Sequence, residues 1–565
     1  MNDMSNPLRW ASELISSLQH HGVSQAVISP GSRSSPLAIA AAIHPGIQKK
    51  IVLDERSAAF IALGIGKATG KPALLICTSG TAAANYFPAV IEAKESGVPM
   101  IILSADRPPN LRNLGSSQTI DQIKLFGDQA VFFHDTGEPV ISDTDLKRLS
   151  YLGRQAVAVS IQKGGAAHIN LPFRKPLEPT SQQLSEEMER IKKHGLRKAR
   201  TVSRSTNTVR FDDQIQSLIL SSEKPLIIAG PANPHHLLSR QLEVLSSRLN
   251  APVIAEPGSS LTAKEYLLHR YEQFLRNNGN LNLLKPDLII RFGDQPFTKS
   301  LLLVLEEWKD VPVIHISSRN SWQDHAMSID STIECSPQDE LDLESVPIRN
   351  HSEWNDAWME AEQASQHKLD THLKKKKVLT DGHVFQKLAH ILTEDWQVML
   401  SNSFPARDMA LFGKMSSHQF VNRGAAGIDG ITSTAIGLHL MNQKPTCCIT
   451  GDLAFLHDAN ALYSIRKLQS PFLVVVINNG GGTIFRMLPV YRENISPELF
   501  ETYFETPQNV EIRKLAEASG LSYQKIETLD QLESFDIGSF STPAVIECRT
   551  DADASMYLRE NLWNR

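Results

Sequence analysis

Short apolar runs alternate with segments of helical apolar spacing along three blocks of the chain. Apolar runs bounded by Gly, Pro or polar residues predict buried strands, and apolar residues three and four positions apart predict helices between them. Strands that alternate with helices form parallel sheets covered by helices on both faces. We therefore predict an α/β fold of three doubly wound parallel-sheet domains, at residues 1–185, 207–350 and 380–565. The predicted strands span residues 26–29, 51–53, 73–77, 100–103, 226–229, 252–255, 288–290, 313–316, 447–450, 472–477 and 544–547.

The three blocks differ in what surrounds their strands. The first and third have similar lengths and the same α/β pattern, which is consistent with an ancient duplication. The middle block is Rossmann-like in its order of elements, but no G-x-G-x-x-G motif follows its first strand. The charged, Ser/Thr-rich stretch at 186–205 predicts an interdomain linker with one solvated helix. The run of four lysines at 374–377 predicts a solvated helix face.

Two polar residues follow predicted buried strands of the third block. Asp452 comes after residues 447–450, and Asn479 comes after residues 472–477. Apolar residues at helical spacing within 460–468 predict a helix between these strands. A right-handed crossover makes the two strands parallel, and we expect them to be neighbours. Both side chains then lie at the carboxyl edge of the sheet, where α/β proteins bind ligands.

A carboxylate and an amide oxygen at one edge are suited to Mg²⁺, which prefers oxygen ligands and usually keeps positions for water and phosphate oxygens. The glycines at 480–482 allow the backbone to approach closely and offer a carbonyl as a third protein ligand. The alternative is that Asp452 and Asn479 are ordinary turn residues after two buried strands.

Composition narrows the class of protein. A chain of 565 residues exceeds a single hydrophobic core and agrees with several domains. Its 41% hydrophobic and 21% charged residues are typical of a globular protein, and its formal net charge of −5 argues against a nucleic acid partner. The five cysteines match no zinc-site spacing and are expected to be reduced core thiols, which favours a cytoplasmic location. We expect no signal peptide and no membrane span.

The pair Gly451-Asp452, followed after a gap by Asn478-Asn479, resembles the diphosphate-anchoring motif of thiamine-diphosphate enzymes. The resemblance implies the three-domain architecture of that class and bound thiamine diphosphate as the cofactor. It also implies Mg²⁺ or Mn²⁺, held by Asp452, Asn479 and Gly481.

Glu55 carries a second part of this resemblance. It follows the predicted strand at 51–53 and matches the Glu that hydrogen-bonds the cofactor's pyrimidine ring. In thiamine enzymes this contact promotes removal of the thiazolium proton, which is general acid–base catalysis relayed through a cofactor. Considered alone, Glu55 is better explained as a strand-end carboxylate paired with Arg56; the metal motif of the third block favours the catalytic interpretation.

Five motifs in the first and third blocks narrow the resemblance. They are Ser29-Pro30-Gly31-Ser32-Arg33-Ser34-Ser35-Pro36-Leu37, Asp54-Glu55-Arg56, Thr78-Ser79-Gly80-Thr81-Ala82, Ser104-Ala105-Asp106-Arg107-Pro108-Pro109 and Asn422-Arg423-Gly424-Ala425-Ala426-Gly427-Ile428-Asp429-Gly430. Together they resemble the 2-succinyl-5-enolpyruvyl-6-hydroxy-3-cyclohexene-1-carboxylate synthase family of menaquinone biosynthesis. The resemblance implies decarboxylation of 2-oxoglutarate on thiamine diphosphate and 1,4-addition of the succinyl carbanion to isochorismate.

Both substrates of that family are dicarboxylates, and guanidinium groups hold carboxylates bidentately. By position, the resemblance assigns substrate contacts to Ser32, Arg33, Arg107, Lys299, Ser403, Arg407 and Arg423. It assigns cofactor contacts to Glu55, Gln118, Ile428, Gly451, Asp452, Leu453, Asn479, Gly481, Ile484 and Phe485.

Several of these positions carry a more specific expectation. Arg407 lies one helical turn after Ser403, so both can face one cleft. Gln118 matches a partner of the aminopyrimidine, and Ile428 matches the apolar support that bends the cofactor. Some family members have an Arg where this chain has Ser300, which leaves the preceding Lys299 as the candidate for that contact. A surface ion pair is the alternative for any single Arg.

Three other classes compete with this interpretation. An acetolactate-synthase-like carboligase shares the Glu and the metal motif but does not need as many arginines. A nucleotide-binding protein on a Rossmann-like scaffold is disfavoured because the glycine fingerprint is absent. A hydrolase is disfavoured because Ser79 lacks the Gly two positions earlier that a nucleophile elbow requires. The resemblance further implies a homodimer or homotetramer with shared active sites.

Overall fold

A computed structural model describes residues 6–194, 206–236, 238–262, 264, 266–276, 281–319, 322–350, 353–414, 418–493 and 495–563. The described chain contains three six-stranded parallel sheets and one two-stranded sheet. Crossover connections, most of them helical, join the parallel strands. The predicted α/β fold of three doubly wound parallel sheets is therefore confirmed.

The first sheet has the strand order β2-β1-β3-β4-β6-β5. Its strands are β1 Gln25–Ile28, β2 Gln48–Ile51, β3 Ala73–Cys77, β4 Met100–Asp106, β5 Phe132–Asp135 and β6 Ala166–Pro172. The helices around it are Pro7–His20, Ser35–Ile43, Glu55–Thr69, Thr81–Ala84, Phe87–Glu95 and Asp143–Lys163. The central strands β3 and β4 are buried along their whole length, as their apolar runs predict.

One strand of the first sheet is displaced from its prediction. The strand predicted at 51–53 ends at Ile51, and Leu53 is 83% exposed, which a buried strand would not allow. Asp54 caps the next helix, since its carboxylate accepts a hydrogen bond from the Ser57 backbone N–H at 3.1 Å. Glu55 is therefore the first residue of a helix and does not directly follow a buried strand.

The middle sheet has the order β10-β9-β8-β11-β12-β13, which is the Rossmann order and confirms the predicted arrangement. The strands of this region are β7 Thr208–Val209, β8 Pro225–Ala229, β9 Val253–Ala255, β10 Leu267–Leu268, β11 Leu288–Phe292, β12 Val313–Ser317, β13 Ile329–Glu334 and β14 Glu340–Leu341. Strands β7 and β14 form the two-stranded sheet. The helices are Asp213–Ser221, Ser239–Leu249, Tyr271–Phe274, Lys299–Glu307 and Glu353–Lys375.

The third sheet repeats the topology of the first, with the order β16-β15-β17-β18-β20-β19. Its strands are β15 Gln397–Leu400, β16 His418–Val421, β17 Thr446–Gly451, β18 Phe472–Asn478, β19 Ser522–Ile526 and β20 Ala544–Arg549. The helices are Asp381–Ile391, Phe404–Phe412, Ile431–Asn442, Asp452–His457, Leu462–Ile465, Pro489–Arg492, Pro497–Phe500, Ile512–Ala518, Leu529–Glu533 and Ala552–Leu562. The common strand order supports the expected duplication.

The helix predicted at 460–468 forms differently. The chain between β17 and β18 contains the helix Asp452–His457, a 3₁₀ turn at Ala459–Ala461 and the short helix Leu462–Ile465. The helical spacing was correct for the apolar positions, but the helical structure begins earlier and is interrupted. Asp452 is thus the first residue of a helix at the end of β17.

By contacts, the chain forms two compact units, Met1–Arg204 with Asn422–Gln443, and Ser205–Val421 with Lys444–Arg565. In the first unit the helices Glu55–Thr69 and Ile431–Asn442 cross at Gly64 and Gly437. A Cβ atom at Gly64 would lie 2.1 Å from the Thr434 carbonyl oxygen, so the crossing requires glycine. Since residues 422–443 fall within the predicted third block, the domain boundaries given above remain a prediction.

The predicted linker contains the helix Ser181–His194, and residues 195–205 lie outside the described part of the chain. This helix is not solvated all round: Glu187 and Ile191 are buried, and Arg190 pairs with Glu187. The first two lysines of the run at 374–377 are exposed at the end of the helix Glu353–Lys375, as predicted.

All five cysteines are within the described residues and are buried thiols, not disulfides. No helix in the described ranges combines the length and the apolar character needed to cross a membrane.

Candidate functional site

Glu55 lies at the carboxyl edge of the first sheet. It is half-buried at the start of its helix. Burial raises the pKa of the Cys77 thiol, at the end of β3, to about 12; a hydrogen bond with Tyr86 opposes that rise, and the negative charge of Glu55 adds to it. The carboxylate therefore lies close to the carboxyl end of a central strand.

Gln118 is held against the turn that follows β3. The Ser79 hydroxyl donates to the Gln118 carbonyl oxygen at 2.9 Å, and the Gly80 backbone N–H donates to Gln122 Oε1 at 2.9 Å. A Cβ atom at Gly80, where φ is +85°, would lie 3.2 Å from Gln118 Cγ. Gln118 itself has φ of +56° and is exposed, so its side chain is available to a ligand at this edge.

A buried polar network supports the same edge and is absent from the sequence-based predictions. Gln122 Nε2 donates to Asn170 Oδ1 at 2.9 Å, and Asn170 Nδ2 donates to Asp106 Oδ2 at 3.0 Å. Asp106 also accepts from the Arg107 backbone N–H at 2.7 Å and pairs with Arg112 at 2.8 Å. Burial raises the pKa of Asp106, and the bonds from Asn170 and Arg112 oppose that rise. A carboxylate at the end of an apolar run was the available signal.

Arg33 and Arg107 are at least partly buried, and not all of their guanidinium N–H groups have a partner among the described residues. Arg33 is buried, and its Nη1 donates to the Phe173 carbonyl oxygen at 2.7 Å. The Nε atoms of Arg33 and Arg107 are buried without a hydrogen-bond partner among the described residues. The remaining donors of these two guanidinium groups are the candidates for contact with an anionic ligand. Ser32, next to Arg33, is exposed.

Arg423 and Ile428 lie on a loop that is anchored within the first unit. The Gly424 and Ala425 backbone N–H groups donate to Glu92 at 3.0 and 2.7 Å. Arg423 is half-buried, and the Ile428 side chain is 36% exposed. Ile428 is therefore able to contact an apolar part of a ligand.

Asp452 and Asn479 lie at the carboxyl ends of adjacent parallel strands, as predicted. Gly451 of β17 and Ile477 of β18 are register partners. The buried Asp452 carboxylate accepts from the Leu453 backbone N–H at 2.9 Å. Burial raises the pKa of Asp452, while hydrogen bonds from the Leu453 and Gly481 backbones, among smaller effects, oppose that rise. A nearby cation would hold the carboxylate in its charged form.

The glycines beside this pair shape a cradle. Gly480 and Gly481 have φ of +88° and +121°, and a Cβ atom at Gly481 would lie 2.3 Å from the Glu505 carbonyl oxygen. A Cβ atom at Gly451 or Gly480 would meet nothing within 4 Å, so there is open space beside both strand ends.

This donor set fits a hard cation that is completed by phosphate oxygens and water. Within the ranges that the structure describes, no three His, Cys, Asp or Glu side chains gather as a metal site. The protein thus offers one carboxylate, one amide oxygen and backbone carbonyls, which suits an ion shared with a diphosphate group.

Apolar side chains lie beside the glycines. Phe485 is 40% exposed and packs edge-on against Phe504, with ring centroids 6.1 Å apart. Ile484 and Leu453 are half-buried. These three side chains are able to form an apolar surface beside the glycines, where the family resemblance assigns them cofactor contacts.

Ser403 and Arg407 are brought together, as their spacing predicts. Ser403 has φ of +70° and precedes the helix Phe404–Phe412, and Arg407 Nη1 donates to the Ser403 carbonyl oxygen at 2.9 Å. Burial lowers the pKa of Arg407, and the negative charges of Glu272, Asp408 and Glu256 oppose that effect. Arg407 is therefore a partly desolvated cation near the middle sheet.

Ser300, the position at which some family members have an Arg, has a structural role in this chain. Ser300 is fully buried in the first turn of the helix Lys299–Glu307, and both its backbone N–H and its hydroxyl donate to Glu272. Lys299 is exposed at the start of this helix. Because Glu272 also acts on Arg407, the helix start that bears Lys299 belongs to the neighbourhood of Arg407.

Comparison with known proteins identifies the class. Residues 9–125 match the N-terminal thiamine pyrophosphate-binding domain of thiamine pyrophosphate enzymes, and residues 408–548 match the C-terminal one. Together with the polar edges of the first and third sheets, these matches define a thiamine-diphosphate enzyme.

Full-length relatives narrow the class further. Three are named 2-succinyl-5-enolpyruvyl-6-hydroxy-3-cyclohexene-1-carboxylate synthase. The Bacillus velezensis protein is 34% identical to this chain, and the match covers 99% of this chain and 98% of that protein. The Trichodesmium erythraeum protein is 37% identical, with 93% of this chain and 92% of that protein covered. The Geobacillus kaustophilus protein is 35% identical, with 98% of this chain and 97% of that protein covered. The chain therefore belongs to the 2-succinyl-5-enolpyruvyl-6-hydroxy-3-cyclohexene-1-carboxylate synthase family.

Proposed function

We propose that this protein decarboxylates 2-oxoglutarate and adds the succinyl unit in a 1,4 sense to isochorismate, in menaquinone biosynthesis. The observation that carries the proposal is the placement of Asp452 and Asn479 at the carboxyl ends of two adjacent parallel strands, beside a glycine cradle. The family relationship and the partly desolvated arginines support the choice of substrates.

The third-sheet edge is proposed to hold the diphosphate end of the cofactor. Asp452, Asn479 and the Gly481 carbonyl would bind Mg²⁺ or Mn²⁺, which neutralises the diphosphate. Gly451, Leu453, Ile484 and Phe485 would line the same end. When bound, thiamine diphosphate supplies an electron sink for the carbon atom that loses carbon dioxide.

The first-sheet edge and the anchored loop are proposed to hold the rings of a cofactor whose diphosphate is bound by another copy of the chain. Glu55 would accept a hydrogen bond from the protonated pyrimidine nitrogen and so keep a proton at that atom. Gln118 would contact the exocyclic amine, and Ile428 would support the cofactor's bent conformation through apolar contact.

The cationic residues are proposed to bind the carboxylates of both substrates. Arg33 is buried, Arg107 is half-buried and Arg407 is partly desolvated, and charge-assisted hydrogen bonds from such guanidinium groups bind carboxylates strongly. Arg423, Ser32, Ser403 and Lys299 complete the proposed set. We also propose a homodimer or homotetramer with shared active sites and three domains at 1–185, 207–350 and 380–565; a cytoplasmic location remains a prediction.

A steady-state assay with isochorismate and either 2-oxoglutarate or pyruvate tests the proposal. A charge-assisted contact to the distal carboxylate contributes about 1.5–3 kcal/mol, and pyruvate lacks that group. We expect kcat/KM for pyruvate to be at least about tenfold lower, since 1.4 kcal/mol corresponds to a factor of ten. Equal use of pyruvate would favour the acetolactate-synthase-like alternative.

A further inference from the structure

The C-terminal helix Ala552–Leu562 carries a buried guanidinium that lies between two carboxylates. Arg559 and Asp408 are each 1% exposed, and Asp381 is fully buried. Arg559 Nε donates to Asp408 Oδ1 at 2.9 Å, and its Nη2 donates to Asp381 Oδ2 at 2.6 Å. We refer to Asp381, Asp408 and Arg559 as the Arg559 cluster.

One arm of the Arg559 cluster reaches a proposed cation ligand. Asn479 Nδ2 donates to Asp381 Oδ2 at 3.3 Å, and Thr550 Oγ1 donates to Asp381 Oδ1 at 2.6 Å. A carboxylate only accepts hydrogen bonds, so Asn479 must present its NH₂ group to Asp381 and its oxygen elsewhere. The oxygen is the atom that binds a cation, and Asp381 therefore sets the ligand's orientation.

The other arm reaches the proposed substrate cations. Asp408 follows Arg407 directly in the helix Phe404–Phe412. The Arg559 guanidinium also lies over the Phe404 ring, 3.7 Å from its centroid, and Phe404 follows Ser403. The same guanidinium therefore holds the helix start that bears Ser403 and Arg407 from its buried side.

Stability alone does not account for such a cluster. Two carboxylates and one guanidinium in a dry interior pay a large desolvation penalty, and well-packed apolar residues of similar volume are often as stable or more so. Planar forks such as that of Arg559 instead fix the geometry of the groups they bind. The cluster contacts two separate parts of the proposed site, which is what a positioning role requires.

We propose that Arg559, acting with Asp381 and Asp408, is a positioning residue that orients the Asn479 oxygen toward the cation and fixes the Ser403–Arg407 helix start for dicarboxylate binding. The inference rests on the proposed function, because it takes the cation and substrate roles of Asn479 and Arg407 from there.

Mg²⁺ titration by calorimetry, on full-length protein with saturating thiamine diphosphate, tests the first arm. Asp381→Asn keeps the size of the side chain and is expected to weaken Mg²⁺ binding by about 10- to 100-fold, the usual range for a group that orients a metal ligand. Its effect on KM for 2-oxoglutarate should be smaller. Arg559→Lys keeps the charge but loses the fork, and should both weaken Mg²⁺ binding and raise that KM.

Arg291→Lys is the matched control. Arg291 is 1% exposed and pairs with Asp324 beside the middle sheet, so its loss also disturbs a buried ion pair. It should change neither Mg²⁺ affinity nor KM. In an Asn479→Ala background, Asp381→Asn should weaken Mg²⁺ binding little further, because the group that it orients is gone.

The outcomes separate the two proposals. Unchanged Mg²⁺ affinity in Asn479→Ala would overturn the proposed cation site itself. If Mg²⁺ affinity falls in Asn479→Ala but stays at the wild-type value in Asp381→Asn and Arg559→Lys, the positioning role alone is overturned. Fully additive losses of Mg²⁺ affinity in the Asn479→Ala/Asp381→Asn double variant would also overturn it. If Asp381→Asn or Arg559→Lys fails to fold, Thr550→Val replaces it: loss of one hydrogen bond to Asp381 should weaken Mg²⁺ binding about two- to tenfold, and wild-type affinity would again overturn the positioning role.

Discussion

The Glu92 carboxylate accepts the backbone N–H of Ala425 at 2.7 Å, across 333 positions of sequence. Glu92 is 3% exposed and also accepts from the Gly424 N–H at 3.0 Å. Hydrogen bonds to a buried carboxylate are charge-assisted and stronger than those between neutral groups. Glu92 therefore fixes the loop on which Arg423 and Ile428, two proposed ligand contacts, are carried.

Replacing Glu92 by Gln should weaken substrate binding. Gln keeps the side-chain length but removes the charge that the two loop N–H groups, the Ser96 hydroxyl and Lys67 Nζ face, at a cost of about 1.5–3 kcal/mol in loop anchoring. We expect KM for at least one dicarboxylate to rise by about tenfold, with a smaller change in kcat. Glu138→Gln, in the exposed ion pair with Arg174, is the control and should behave as wild type. Equal losses in both variants would contradict the anchoring role.

Replacing Glu55 by Gln should slow the activation of the cofactor. Gln preserves the shape of the side chain but removes the charge that stabilises a protonated ring nitrogen. Proton exchange at the reactive thiazolium carbon, followed by NMR, should slow by on the order of 10²-fold. Cofactor affinity should change much less. An exchange rate equal to that of the wild type would show that Glu55 only begins its helix.

Replacing Asp452 by Ala should weaken thiamine diphosphate binding through the metal. The cation would keep Asn479 as its side-chain ligand, and the diphosphate would be poorly neutralised. Calorimetry should show a lower cofactor affinity that excess Mg²⁺ partly restores. Asp452→Asn keeps the size of the side chain without its charge, and its cofactor affinity should lie between those of the wild type and Asp452→Ala. Wild-type cofactor affinity in Asp452→Ala would show that Asp452 only begins its helix and binds no metal.

The stability of the middle region should depend on pH through Glu256. Burial raises the pKa of Glu256 to about 7, with Glu272 adding to the rise and bonds from Thr298 and Phe297 opposing it. A folded-state pKa above the unfolded value contributes stability that is complete below the unfolded pKa, about 4.5, and is lost as pH rises through about 7.

Urea denaturation between pH 4.5 and 8 measures this effect. The free energy of unfolding should fall across the window, since one pKa unit corresponds to about 1.4 kcal/mol. Gln does not titrate, so the free energy of unfolding of Glu256→Gln should fall less with rising pH than that of the wild type. Parallel curves for the two proteins would show that Glu256 titrates normally.

The sequence predicts those parts of the fold that arise from local patterns. Strands such as β3 and β18 are buried on both faces, so their apolar runs are continuous and easy to recognise. The edge strand β2 has no such run, and the prediction there was displaced by several residues. Asp452 and Asn479 were predicted to be neighbours because a strand, a crossover and a strand are consecutive in the chain.

Contacts between distant segments left no such pattern. Arg559 and Asp381 are 178 positions apart, and nothing around either residue indicates its partner. The same holds for Glu92 and its loop. For a similar reason the local sequence did not show that residues 422–443 pack with the first sheet, since that depends on glycines in two separate helices.

The helix crossing at Gly64 and Gly437 affects how much conformational entropy the loop with Arg423 and Ile428 loses when a ligand binds. The two backbones touch there, with the Cβ position of Gly437 only 2.1 Å from the Ile61 carbonyl oxygen. No rotatable side chain separates the helices, so the helix that follows the loop has a fixed base, while Glu92 holds the loop's beginning. A segment fixed at both ends is pre-organised and loses little conformational entropy when a ligand arrives. More of the interaction energy of Arg423 and Ile428 is then retained as affinity.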